Sequence, residues 1–155
     1  MVVETRVFGA VEISDEKIIT FPGGIIGFPD LKKFTLLYDE TKPQAGIKWM
    51  QSLDEPAFAM PVMDPLVVKA DYDPMIEDEL LKPLDNLVPD ETLVLVTVSV
   101  PKDLTQMTVN LQAPIVVNAE NRKACQLIVD NHNGEYPVKF PIYDILQKNK
   151  EKVGE

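Results

Sequence analysis

The stretch Phe21-Pro22-Gly23-Gly24-Ile25-Ile26-Gly27-Phe28-Pro29-Asp30 places three of the chain's seven glycines within five positions. Clustered glycines leave backbone N–H groups bare, and such a loop can cradle a phosphate when Lys and Ser or Thr follow and open a helix. Here Phe28-Pro29-Asp30 follows, and the Asp30 carboxylate would repel an anion. Nucleophilic chemistry has as little to work with. His132 is the one histidine and stands in a turn-forming stretch; Cys125 is the one cysteine and alternates with Leu127 and Val129, as a small buried hydrophobe would. One histidine and one cysteine make a poor zinc set. Asp71-Tyr72-Asp73 starts like a calcium loop, but Met75 and Ile76 stand where the next ligand and the glycine belong. Carboxylates do acid–base work when burial tunes them, and those of 71–91 read as exposed. These residue types disfavour an enzyme and imply neither a cofactor nor a metal.

What remains is surface, and the elements that present it. Thirteen prolines spread along the chain preclude long helices in most places. Short runs rich in Val, Ile, Thr and aromatic residues predict strands near 2–8, 17–21, 34–39, 47–53, 57–62, 92–100, 106–111, 114–119, 123–130 and 136–140. In TLVLVTVSV, Val94, Val96, Val98 and Val100 take one face while Leu93 and Leu95 make the other apolar. Such a strand is buried on both sides at one end, as in the centre of a barrel or sandwich. Glu120-Asn121-Arg122 reads as the turn of a hairpin, and Asn133-Gly134 as a turn joining two further strands. Asp73-Pro74 offers an N-cap and a first-turn proline for a short helix over 74–82, with Ile76, Leu80 and Leu84 four apart and the acids facing solvent. The expected fold is all-β: a small β-barrel-like domain or compact sandwich of about ten short strands with one short helix. It spans 1–146 as a single domain, and the polar tail 147–155 is expected to fray.

Composition bounds the rest. A length of 155 residues with 45% hydrophobic and 26% charged content fits one soluble globular domain. The apolar run around Leu93–Val100 falls far short of the roughly 20 residues that span a bilayer. MVVETRVF lacks the apolar core of a signal peptide, and a single cysteine suits a reducing cytoplasm, so a cytoplasmic location is expected. The net charge of −10 is uneven: Asp71, Asp73, Glu77, Asp78, Glu79, Asp85, Asp90 and Glu91 face Lys82 alone within 71–91. That field disfavours direct nucleic-acid binding and favours a basic partner, unless it only solubilises the chain. Asp71, Asp73, Glu77, Asp78 and Glu79 are the residues expected to meet such a partner, with Tyr72 as an aromatic contact. An acidic surface also favours a monomer. Trp49 reads as a core or an interface anchor, the core being the simpler reading, and Phe28 carries the same two readings. Gly24 and Gly27 most simply permit positive φ in a tight connection, and the methionines, Met60, Met63 and Met75 among them, could pave an adaptable binding groove but read by default as core filling.

Three segments together resemble a known family. They are ITFPGGIIGFPDLKKFTLL, WMQSLDEPAFAMPVMDP and VNLQAPIVVNAENRKACQLIVDN, which look like that family's Phe–loop–Gly–Phe signature, its Gln-Ser-x-Asp-x-Pro segment and its Asn-Leu-x-Ala-Pro-Ile-Val-x-Asn hairpin. The family is the bacterial flagellar assembly factor FliW. The resemblance rests on Gly24, Gly27, Trp49, Gln51, Ser52, Asp54, Pro56, Asn110, Pro114 and Asn118, read as structural. Pro29 departs from it where an acid is usual, as does Ala57-Phe58-Ala59-Met60 after Pro56. The resemblance implies a non-catalytic, barrel-like protein that binds flagellin and the RNA-binding translational repressor CsrA, so that flagellin level is coupled to its own translation. The competing reading is a β-barrel that holds a small ligand inside.

Overall fold

The computed structural model describes residues 1–37, 46–85, 87–130 and 134–153. In chain order the strands are β1 (Val2–Thr5), β2 (Gly9–Glu12), β3 (Ile19–Thr20), β4 (Lys33–Leu37), β5 (Ile47–Ser52), β6 (Ala59–Met63), β7 (Thr92–Ser99), β8 (Thr108–Val109), β9 (Ile115–Asn118), β10 (Lys123–Gln126) and β11 (Phe140–Pro141). Two α-helices accompany them, α1 (Asp78–Leu81) and α2 (Tyr143–Val153). Strands pair in the order β7-β6-β5-β4-β3-β10-β9, and β9 returns to β7, so these seven close into a barrel. All these pairings are antiparallel except β3 with β10, which meet in parallel at Thr20 and Lys123. The expected all-β, barrel-like fold is the one observed.

Alternation along these strands places Phe34, Met50, Val62, Leu95, Ile115 and Val117 in one interior cluster, each no more than 3% exposed. TLVLVTVSV behaves as its pattern predicts. Leu95 joins the interior, while Val96 and Val98 enter a second cluster with Met63, Tyr72, Leu111 and Ile142. A third cluster, Leu84, Val116 and Leu127, packs on the outside against Ile76, Leu81 and Cys125.

The partner edge of β7 carries an interruption that explains one motif. Leu95 opposes Ile115 in β9, so an unbroken strand would bring residue 112 opposite Val98; Val109 of β8 stands there instead. Three extra residues are therefore taken up within Asn110–Pro114. Asn110 shapes that detour, its Oδ1 accepting the Gln112 N–H at 3.0 Å.

Several expectations need correction. The strand expected over 2–8 is the hairpin β1–β2, turned by Gly9 at φ +66° and by Thr5 Oγ1, which donates to the Gly9 carbonyl at 2.7 Å and accepts the Phe8 N–H at 3.0 Å. The helix expected over 74–82 is only α1, followed by a 3₁₀ turn over Lys82–Leu84. Glu77, not Asp73, stands at its N-cap, and the stripe splits: Leu84 is fully buried and Ile76 packs beside it, while Leu80 faces outward. The expected strand 123–130 ends at Gln126, and β11 pairs with β8 rather than with β10, so no second hairpin joins those segments; Asn133 itself lies outside the described residues. Helix α2 crosses residue 146, and Ile145 and Leu146 pack on the second cluster beside buried Ile142.

Phe34 sits at the centre of the interior, its ring 5.2 Å from Phe21 and 6.3 Å from Phe58. Phe34→Ala is expected to destabilise the fold by about 3–5 kcal/mol in denaturant unfolding, through lost transfer energy and a residual cavity.

Candidate functional site

The glycine stretch folds over one end of the barrel. Ile25 and Phe28 exchange both backbone hydrogen bonds, at 3.2 and 2.9 Å, around the two-residue turn Ile26-Gly27. Ile25 points into the interior cluster, and the Ile26 N–H is held by Gln126 Oε1 at 2.9 Å. A Cβ on Gly24 (φ +73°) would lie 2.4 Å from the Pro29 carbonyl oxygen, whereas one on Gly27 (φ +87°) would meet nothing within 4 Å. Phe28 rests its ring 5.0 Å from Phe58 and stays 48% exposed, so it both covers the aromatic cluster and presents an edge to solvent.

Three of the other motif residues hold this end together, and the rest act elsewhere on the barrel. Gln51, 1% exposed, accepts the Arg6 N–H at 3.1 Å through Oε1 and donates from Nε2 to the carbonyls of Pro56 at 2.8 Å and Phe58 at 3.2 Å. Ser52 Oγ accepts the Glu55 N–H at 2.9 Å. Asp54 Oδ2 receives the N–H groups of Lys32 and Lys33 at 2.7 and 2.9 Å, fastening the return of the glycine stretch. Trp49 is half-buried, opposite Leu37 and Pro61. Pro114 is buried just before β9, its carbonyl accepting the Leu127 N–H at 3.0 Å. Asn118, 2% exposed, donates to the Leu84 carbonyl at 2.8 Å and accepts the Glu120 N–H at 3.0 Å, tying the outer segment to the β9–β10 hairpin. Asn121 donates to the same carbonyl at 3.1 Å.

The acidic segment lies on the barrel's outside. Asp71, Asp73, Glu77, Asp78 and Glu79 are all exposed. Lys69 pairs with Asp71 at 3.1 Å and holds its carboxyl below the usual range through that bond; Lys82 pairs with Glu79 at 3.0 Å. Asp73, Glu77 and Asp78 carry no ion pair among the described residues. Tyr72 is nearly fully buried beside them and helps line an adjoining groove. It is 8% exposed, and its hydroxyl, raised in pKa by burial, donates to the Leu111 carbonyl at 2.7 Å. Beside the acids runs an apolar groove of about 320 Å³ lined by Pro65, Leu66, Pro74 and Ile76, with Asp64 and Asp73 among its walls. Met75, for which core filling was the default and a binding groove the alternative, is 90% exposed between the lining residues Pro74 and Ile76.

Cys125 borders a pocket of about 260 Å³ between the glycine stretch and Pro83. Burial pushes the Cys125 thiol up to about 11, its Sγ lies 3.9 Å from the Leu80 carbonyl, and it packs beside Leu127. His132 lies outside the described residues. No group of three or more His, Cys, Asp or Glu among the described residues is arranged to hold a metal ion, and no described helix is long and apolar enough to cross a membrane. Gly24→Ala is expected to cost about 3 kcal/mol or more, because the Pro29 backbone must move, whereas Gly27→Ala pays about 1–2 kcal/mol for its left-handed conformation alone. Paired denaturant unfolding curves of the two variants measure the difference.

Comparison with known proteins agrees with this architecture. The family model described as FliW protein matches residues 2–142. The flagellar assembly factor FliW of Lachnospira eligens is 51% identical over 152 residues, covering 97% of this chain and 99% of that one. That of Lachnoclostridium phytofermentans is 43% identical, with 98% and 97% covered. A crystal structure of the flagellar assembly factor FliW superposes with a TM-score of 0.83 at 30% identity, covering 92% of this chain and 97% of that chain. The chain belongs to the FliW family of flagellar assembly factors.

Proposed function

We propose that this protein is a non-enzymatic, cytoplasmic assembly factor that works by binding two partners: flagellin, and a CsrA-type RNA-binding repressor whose action on flagellin translation it blocks. When flagellin occupies the factor, the repressor is free and translation stops; when flagellin leaves, the factor takes up the repressor and translation resumes. The observation that carries the repressor half is the acidic segment. Five exposed carboxylates, Asp71, Asp73, Glu77, Asp78 and Glu79, lie within one segment whose Asp73, Pro74 and Ile76 line an apolar groove, and Met75 between them is 90% exposed. An RNA-binding surface is basic because it must neutralise phosphates, so it complements this face. The acids steer and select, while Met75 and Leu66 supply adaptable apolar area. Phe28, half-exposed at the glycine end, is a second contact point on a different face of the barrel.

The double reversal Asp78→Lys, Glu79→Lys tests the assignment. Both side chains are exposed, so the fold is expected to survive. Repressor binding should weaken about tenfold at low ionic strength, mostly in the association rate, and its salt dependence should flatten. Unchanged affinity and an unchanged salt slope would refute the acidic face as the repressor site.

A further inference from the structure

The glycine stretch closes one end of the barrel, and the opposite end carries a cavity of about 340 Å³. Its walls come from the ends of strands that point away from that plug: Leu36 on β4, Lys48 on β5, Leu93 on β7 and Val117 on β9. The apolar lining is continuous with the interior, since Ile19 and Val117 belong to the core cluster and Leu36 and Leu93 pack against it. Among the described residues its rim carries three cations, Lys17, Lys48 and Arg122, against one carboxylate, Glu16, in a chain whose net charge is −10.

Lys48 is the informative residue. It lies opposite Val62, which is fully buried in the interior cluster, so the pleat places Lys48 on the barrel's inner face. It is half-buried there, and no ion pair among the described residues engages it, Lys17 or Arg122. An unpaired cation at an inward position costs desolvation that an aliphatic residue would avoid. Its methylene stem can line the wall while the ammonium reaches the rim. Thr35 Oγ1, donating to the Lys17 carbonyl at 2.9 Å, holds the third cation's backbone at the same mouth.

We infer that this mouth is a binding site for a small amphipathic anion, an aliphatic carboxylate whose chain lies on Leu36, Leu93 and Val117 and whose head group is met by Lys48 and Arg122. The volume stands at the lower end of ordinary small-ligand pockets, enough for one short chain. Arg122 offers a planar fork that matches a carboxylate, and Lys48 a point charge on a movable stem. The site lies on a different part of the barrel from the acidic face and stands or falls independently of repressor binding.

Calorimetric titration of the full chain with octanoate tests the inference, with propionate as the charge without the chain and octan-1-ol as the chain without the charge. Octanoate is expected to bind with one-to-one stoichiometry, at least about tenfold tighter than either control. Lys48→Met, which puts an apolar side chain of similar length on the inner face and so keeps the fold, should weaken octanoate about tenfold and leave octan-1-ol unchanged. Its thermal unfolding verifies that the barrel is intact. Octanoate binding no tighter than propionate or octan-1-ol would overturn the site, and so would equal affinity for the wild-type and Lys48→Met proteins.

Discussion

Strand β7 is the constraint on which the rest of the structure depends. One edge pairs with β6; the other pairs first with β9 and then with β8. The first of these pairings closes the barrel and the second starts an outer ladder that β11 and α2 complete. Without the β7–β9 pairing the barrel would be an open sheet with two raw edges, a form that invites association with other chains. Leu95 and Val96 are each no more than 1% exposed, so one strand supplies both the interior and the outer cluster. The detour at Asn110–Pro114 lets a single edge serve both, and Asn118 then locks the end of β9 to the outer segment through the Leu84 carbonyl.

Much of this was readable because short-range patterns carried it. The apolar two-sidedness of TLVLVTVSV forecast a strand central to a closed or layered sheet, and Glu120-Asn121-Arg122 forecast the β9–β10 hairpin, whose turn Arg122 adopts at φ +59°. What was not readable depended on distant partners. The helix over 74–82 had a cap and a stripe in its favour, but burying Ile76 and Leu84 against Val116 and Leu127 held its first turns extended. Tertiary packing outweighed local propensity there, and it also sets α2, whose Ile145 and Leu146 dock on the second cluster.

The surface shows the same division. Exposure of the acids followed from their density, since so many carboxylates cannot be buried without partners. The fate of Tyr72 did not follow, because its hydroxyl finds the Leu111 carbonyl 39 residues away in sequence. Residue type alone left Met75 between core and groove, and its 90% exposure decides against the core. The glycine stretch, which first invites a phosphate, is used to bring Ile25 into the barrel and to leave Phe28 at the surface. The result is a closed scaffold whose faces differ in charge and polarity, a form suited to binding.

A switch between two partners requires that each bind and that one exclude the other. The direct measurement is calorimetric titration of the protein with flagellin and separately with the CsrA-type repressor, followed by titration of one into the complex of the other. Tight binding of each, with flagellin displacing the repressor, is the predicted result. Binding to neither, with both partners demonstrably folded, would contradict the account.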